Sequence, residues 1–183
     1  MFVEEELLKL VYEFKEVLDS KKDRLHCFSI HETQLEGWLK GEFLYFLENQ
    51  KEASKLSDVQ CEVLTGLGRK KVDIKLELVS PSAMVWIELK YWLIGSQKGT
   101  RYRARFYFMD SEQGIRKDVE KLNQIDNEHT FILSLAVTNP GNEDWLSSIQ
   151  KFNEKFNPYR VDSLSNPDRF PDTYFLGLMK VSM

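Results

Sequence analysis

The sequence predicts a mixed α/β fold in which helices cover a mixed β-sheet. Near the start of the chain, apolar residues recur at helical spacing. From about residue 59 they alternate with polar residues, as in half-buried strands. Helical patterns then return between short apolar runs, which gives the order helix, helix, three strands, helix, strand, helix, strand. With 183 residues, 42% of them hydrophobic, the chain can bury a core, so wholesale disorder is excluded.

The first half contains two predicted helices and three predicted strands. The first helix spans residues 3–19, where an apolar stripe repeats every three or four positions. A second helix runs from about Glu32 to Asn49. The strands follow at about residues 59–63, 72–78 and 85–92. Thr65-Gly-Leu-Gly68 and Ser80-Pro-Ser82 are turn sequences that separate them.

In the second half of the chain, helices and strands are predicted to alternate. Residues 101–108 are read as a strand or an extended loop, and 110–125 as an amphipathic helix. The apolar run at 130–137 suits a buried strand. The remaining elements are a helix at about 143–156, a loop at 157–172 with three of the five prolines, and a strand at 174–181.

Several protein classes are excluded. No apolar run approaches the roughly 20 residues of a membrane helix, and the acidic N-terminus does not resemble a secretory signal. Two separated cysteines, Cys27 and Cys61, make no disulfide framework, and with three scattered histidines they make no zinc site of usual spacing. The sequence therefore predicts a cytoplasmic protein with reduced cysteines and no membrane partner.

Two carboxylates and a lysine are predicted to meet on one sheet face. Residues two apart share a face of a strand, so Glu88 and Lys90 point the same way. Asp73 lies in the preceding strand and adjoins Glu88 if the two strands form a hairpin. Such a group can bind Mg²⁺ or Mn²⁺, which would activate a water for attack on phosphorus. Lys90 would orient that water or offset charge on the phosphate oxygens.

Glu42 is a second acid that needs a partner. On a helical wheel of about 100° per residue with Leu35 at zero, Glu42 falls at about 340°, inside the apolar stripe. A carboxylate buried there is costly unless a metal, a cation or a metal-bound water pairs with it. This argument does not depend on the strand residues.

These residues resemble the PD-(D/E)XK nuclease superfamily, which has the restriction-endonuclease-like fold. The resemblance rests on a helix acid, an Asp near the start of a strand, and Glu-x-Lys in the next apolar strand, over about residues 31–138. Val72 stands where the motif has Pro. The resemblance implies one nuclease-like domain over residues 1–183, with the helix at 3–19 and the C-terminal elements added to its core.

The resemblance also implies roles for individual residues. Asp73 and Glu88 would be metal ligands, joined by the backbone carbonyl of Leu89. Lys90 would be the catalytic lysine, and Glu42 the helix acid that completes the pocket. Glu62, on the preceding strand, matches an acid present in some members of the superfamily.

Two alternatives to this motif assignment stay open. Asp73-Ile-Lys75 gives a rival register with Asp58 or Glu62 as its upstream acid. Alternatively, the charged residues of both strands form the solvent-exposed face of an antiparallel sheet and make cross-strand ion pairs there. We favour Glu88-Leu-Lys90 because its strand is apolar on both sides of the motif.

The net charge of −4 hides a local excess of basic residues. Residues 69–105 contain nine Lys and Arg against three Asp and Glu, a balance of +6, whereas the rest of the chain carries 16 against 26, or −10. Phosphate backbones attract such patches, so the candidate DNA contacts are Arg69, Lys71, Lys98, Arg101, Arg103 and Arg105. The alternating arginines are equally consistent with a charged edge strand.

Two functions follow as expectations. The first is a Mg²⁺-dependent nuclease that hydrolyses DNA phosphodiester bonds. The second is a non-catalytic nucleic-acid-binding or regulatory subunit with the same fold. The first helix is interpreted either as a cap on the domain or as a contact of a homodimer, since many nucleases of this superfamily act as dimers.

Overall fold

The computed structural model describes residues 2–31, 33, 35–66, 68–94, 115–138, 159–163 and 173–181. Its first three helices are α1 (Val3–Asp19), α2 (Lys22–Ile30) and α3 (Glu36–Glu52). They are followed by strands β1 (Leu56–Leu64), β2 (Lys71–Leu78) and β3 (Ala83–Ile94). The later elements are helix α4 (Ile115–Leu122) and strands β4 (Thr130–Thr138), β5 (Tyr159–Ser163) and β6 (Thr173–Lys180). The predicted mixed α/β fold is confirmed.

All six strands belong to one mixed sheet in the order β1-β2-β3-β4-β6-β5. Strands β3 and β4 are parallel, and the other neighbouring pairs are antiparallel. A parallel pair needs a crossover connection, which here contains α4.

The sheet forms the middle layer between helices on its two faces. Alternation along β3 places Val85, Ile87 and Leu89 in a large apolar cluster with residues of α1 and α3. Trp86 packs against a second cluster, which contains Ile115 of α4. Among the described helices, none combines the length and the apolar composition needed to cross a bilayer.

Helix α1 has the apolar stripe that its periodicity predicts. Its buried residues are Leu7, Leu10, Val11, Phe14 and Leu18. The ring centroid of Phe14 lies 4.7 Å from that of Phe43 and 5.5 Å from that of Phe46, both on α3. The stripe therefore joins α1 to α3 on the same side of the sheet.

Three described elements differ from the sequence prediction. Helix α2 was not predicted, because among its described side chains only Leu25 is buried and no apolar stripe marks it. The loop predicted at 157–172 contains β5, which forms by pairing with β6. Helix α3 begins at Glu36 rather than near Glu32. The elements predicted at 101–108 and 143–156 lie outside the described residues.

Tyr174 connects β6 to the end of α1 through a hydrogen bond. The tyrosine is 4% exposed, and its hydroxyl donates a hydrogen bond of 2.7 Å to Asp19 Oδ1. We expect Tyr174→Phe to lower the free energy of unfolding by about 1–3 kcal/mol, since the acceptor is charged and loses its buried donor. Urea denaturation measures the change. Tyr45→Phe, at a tyrosine that is 68% exposed, is the control, and equal midpoints for both variants would contradict the prediction.

Candidate functional site

The sheet divides at one point along β2 and β3. Pairing of β1 with β2 continues to Leu64 and Lys71, and pairing of β3 with β4 continues to Ile94 and Thr138. Pairing of β2 with β3, in contrast, stops at Ile74 and Ile87. Beyond this pair the two halves of the sheet separate. We call the opening, with Asp73, Glu88, Leu89 and Lys90 at its base, the fork.

Asp73 takes the place of a backbone acceptor where the strands separate. Its Oδ2 accepts a hydrogen bond of 2.9 Å from the backbone N–H of Leu89. Burial alternates regularly along β2, but Val72 belongs to the second apolar cluster and Ile74 to the first, so Asp73 lies between residues of the two clusters. The Asp73 carboxylate is therefore held between the two halves of the sheet.

Glu88 lies beside Asp73, as the hairpin argument predicts. The pairs Lys75–Trp86 and Ile74–Ile87 set the register, so Asp73 and Glu88 are the first residues beyond the last pair, and Asp73 Oδ2 accepts from the backbone N–H that follows Glu88. Glu88 is 8% exposed, and its Oε1 lies 2.5 Å from Lys121 Nζ. Its Oε2 is buried with no hydrogen-bond partner among the described residues.

The environment of Glu88 disfavours its charge. Burial, helped by the nearby Asp73 carboxylate, raises the pKa of Glu88 to about 7, although the ion pair with Lys121 acts in the opposite direction. A carboxyl group that titrates near neutral pH next to a second acid is typical of functional sites.

Lys90 and Glu88 both contact α4. Lys90 Nζ donates to Asp118 Oδ2 at 2.8 Å, and both side chains are largely buried. Asp118 and Lys121 are three residues apart on α4, so they share one face of the helix. An acid and a lysine at this spacing are typical of an ordinary ion pair on a helix surface. In the structure each is instead paired with a residue of the fork.

Lys40 is a site residue that the sequence did not reveal. Its Nζ lies 2.6 Å from Asp73 Oδ1 and also contacts Glu62 Oε1. Burial acts to lower the pKa of Lys40, but the bonds to Asp73 and Glu62 outweigh it and hold the pKa above its ordinary value. On the wheel used above, Lys40 falls at about 140°, away from the apolar stripe, so periodicity gave no signal for it.

Glu42 does not join the fork. It forms ion pairs with Lys21 and with Arg24, whose Nη1 lies 3.8 Å from Glu42 Oε1. Within the described ranges it makes no contact with Asp73, Glu88 or Lys90. The described contacts of Glu42 therefore give no support to the expectation that it completes the pocket, which stays a prediction. Of the three partners considered, a metal, a cation or a metal-bound water, the structure shows cations, which lie in and next to the unpredicted helix α2.

The candidate DNA contacts are described only in part. Arg69 and Lys71 are exposed; Lys71 is the first residue of β2, the strand that carries Asp73, and Arg69 lies two residues before it. Lys98, Arg101, Arg103 and Arg105 lie outside the described residues. Trp86 is partly buried and packs against the second apolar cluster, which agrees with a core role.

The fork offers few ligands for a metal. Across the part of the chain that the structure describes, no three His, Cys, Asp or Glu side chains form a group that could hold an ion. The available oxygens are those of Asp73 and Glu88 and the carbonyl of Leu89. Because Mg²⁺ commonly uses one or two protein carboxylates and retains water, this set is small but sufficient in number.

Comparison with known proteins supplies no relative whose role could be transferred to these residues. Any role for the fork therefore has to follow from its own geometry and charge. No known protein family, curated protein or solved structure matches the chain.

Proposed function

We propose that the chain has the restriction-endonuclease-like fold and hydrolyses phosphodiester bonds of DNA with the help of Mg²⁺ or Mn²⁺. One observation carries the proposal. Asp73 and Glu88 lie side by side where β2 and β3 separate, with Lys90 two residues further on the same strand face. The order of helix, three strands, helix and strand around them also supports it.

The metal would be held by Asp73, Glu88 and the carbonyl of Leu89. The buried Oε2 of Glu88, which has no hydrogen-bond partner among the described residues, supports this assignment because an unpaired buried carboxylate oxygen is costly. When bound, the ion would act as a Lewis acid on the phosphate and lower the pKa of a bound water.

The remaining residues of the fork would position and neutralise the substrate. Lys90 would offset the negative charge that develops on the phosphate oxygens, and Asp118 would hold its ammonium in place. Arg69 and Lys71, both exposed, would contact the neighbouring phosphates without reading the base sequence.

Cleavage of plasmid and oligonucleotide DNA with Mg²⁺ or Mn²⁺ tests the proposal. Loss of an outer-shell partner of a metal usually lowers activity by at most about 100-fold. Asp73 would bind the ion directly, so we expect Asp73→Ala to lower the cleavage rate by more than this. Glu77→Ala, which removes an exposed carboxylate from the same strand, is the control and should cleave normally. Equal residual activity in wild type, Asp73→Ala and Lys90→Ala would identify a contaminating nuclease and refute the proposal.

A second function is favoured by the lysines of the fork. Lys40, Lys121 and Lys90 already neutralise Asp73, Glu88 and Asp118, respectively. This arrangement would suit a non-catalytic nucleic-acid-binding or regulatory subunit of the same fold. Calorimetric titration with Mg²⁺ in the presence of DNA separates the two functions, because only the enzyme needs to bind the ion.

A further inference from the structure

We propose that Lys40 is a built-in counter-ion that occupies one side of the fork and limits it to a single divalent cation. This inference rests on the proposed metal-dependent function and adds the number of ions that the site accepts. It concerns a residue on α3, outside the strand motif.

Three acids lie in one row across the sheet. Glu62 of β1 lies level with Asp73 of β2, because the residues on either side of them are paired, and Glu88 of β3 follows the last residue pair between β2 and β3. Paired strands such as β1 and β2 lie about 4.8 Å apart, and like charges directly opposite each other destabilise a sheet. The row therefore requires positive charge, which comes from Lys40 at one end and Lys121 at the other.

The two ends of the row are neutralised differently. Lys40 bridges Glu62 and Asp73, so one ammonium serves two carboxylates. Lys121 contacts Oε1 of Glu88, while Oε2 has no hydrogen-bond partner within the described part of the chain. The side of the row between Asp73 and Glu88 thus keeps a free ligand atom. The side between Glu62 and Asp73 is filled by a compact positive charge.

The two carboxylate partners of Lys40 differ in exposure, since the Glu62 side chain is 46% exposed and that of Asp73 is largely buried. The Lys40 side chain is 20% exposed and that of Asp73 is 11% exposed, so solvent screens their attraction only in part. Glu62 has a left-handed backbone conformation with a φ of 55°, which is unusual for a residue with a side chain. A divalent cation between Glu62 and Asp73 would have to displace the ammonium or lie beside it against charge repulsion.

Titration with Mn²⁺, followed by calorimetry and by electron paramagnetic resonance of the free ion, tests the inference. We expect wild type to bind one ion and Lys40→Met to bind two, with the first bound about tenfold more tightly once the opposing charge is gone. Lys55→Met removes another lysine that is paired with a carboxylate, 2.7 Å from Glu13, and should bind one ion. Lys40→Gln is also expected to bind two ions, and it replaces Lys40→Met in the test if that variant does not fold.

The double variant Lys40→Met with Glu62→Gln locates the second ion. It should return to one ion, because Glu62 supplies the ligand that Lys40 otherwise covers. One ion of unchanged affinity in both Lys40 variants would overturn the inference and leave the proposed function intact. No binding by wild type or any variant would instead refute the metal site itself, and the inference with it.

Discussion

Glu88→Gln is expected to stabilise the fold by about 3 kcal/mol above pH 7 and to abolish metal-dependent cleavage. The two effects have a common origin in the burial of the Glu88 carboxylate, which is 8% exposed. A charged oxygen kept in that environment weakens the folded state. The same oxygen is the one that the proposed ion would use.

The direction of the pH dependence follows from the pKa of Glu88. In the unfolded chain the carboxyl has an ordinary pKa of 4.5, and in the folded chain burial raises its pKa to about 7. Between these values the folded state binds a proton that the unfolded state has released, so stability falls as the pH rises. One pKa unit corresponds to about 1.4 kcal/mol, and the loss is complete above pH 7.

Urea denaturation from pH 4 to pH 8 measures this effect. The difference in the free energy of unfolding between Glu88→Gln and wild type should be near zero at about pH 4 and should grow to about 3 kcal/mol above pH 7. Glu77→Gln changes the same charge at an exposed position of β2 and should follow wild type in both stability and cleavage. Parallel pH profiles for wild type and Glu88→Gln would contradict the prediction, as would cleavage by Glu88→Gln.

The sequence predicts a helix or strand correctly where the element has a clear apolar periodicity of its own. The stripe of α1 and the alternation in β2 and β3 identify these elements because burial on one face is a local property of the sequence. Helix α2 has no such stripe, and β5 is a five-residue strand that depends on pairing with β6. The sequence alone therefore contains no periodic pattern that would predict either α2 or β5.

The same distinction applies to the site. The adjacency of Asp73 and Glu88 follows from a hairpin register, which a short turn constrains. The sequence left a metal, a cation or a metal-bound water as the partner of Glu42, and the packing of α1, α2 and α3 supplies a cation, Lys21. Lys40 reaches the fork from the polar side of its helix. Long side chains at helix surfaces can reach groups that a helical wheel does not indicate.

Lys90→Met is expected to lower the single-turnover rate of DNA cleavage by about 100- to 1,000-fold while leaving Mn²⁺ affinity nearly unchanged. The reason is that the Lys90 ammonium would act on charge that develops on the phosphate, whereas the metal ligands are Asp73, Glu88 and the Leu89 carbonyl. Lys55→Met, which removes a lysine paired with Glu13, is the control for loss of an ion pair. A large fall in Mn²⁺ affinity, or an unchanged rate, would contradict this role for Lys90.

Asp118 distinguishes catalysis by Lys90 from support of its position. Asp118→Asn keeps the shape of the side chain but loses the charge that holds Lys90 Nζ at 2.8 Å, so we expect a smaller loss of rate. If Asp118 acts only through Lys90, the double variant with Lys90→Met should be no slower than Lys90→Met alone. Additive losses would show that Asp118 acts independently of Lys90. The comparison therefore shows whether Asp118 contacts the substrate itself or only orients Lys90.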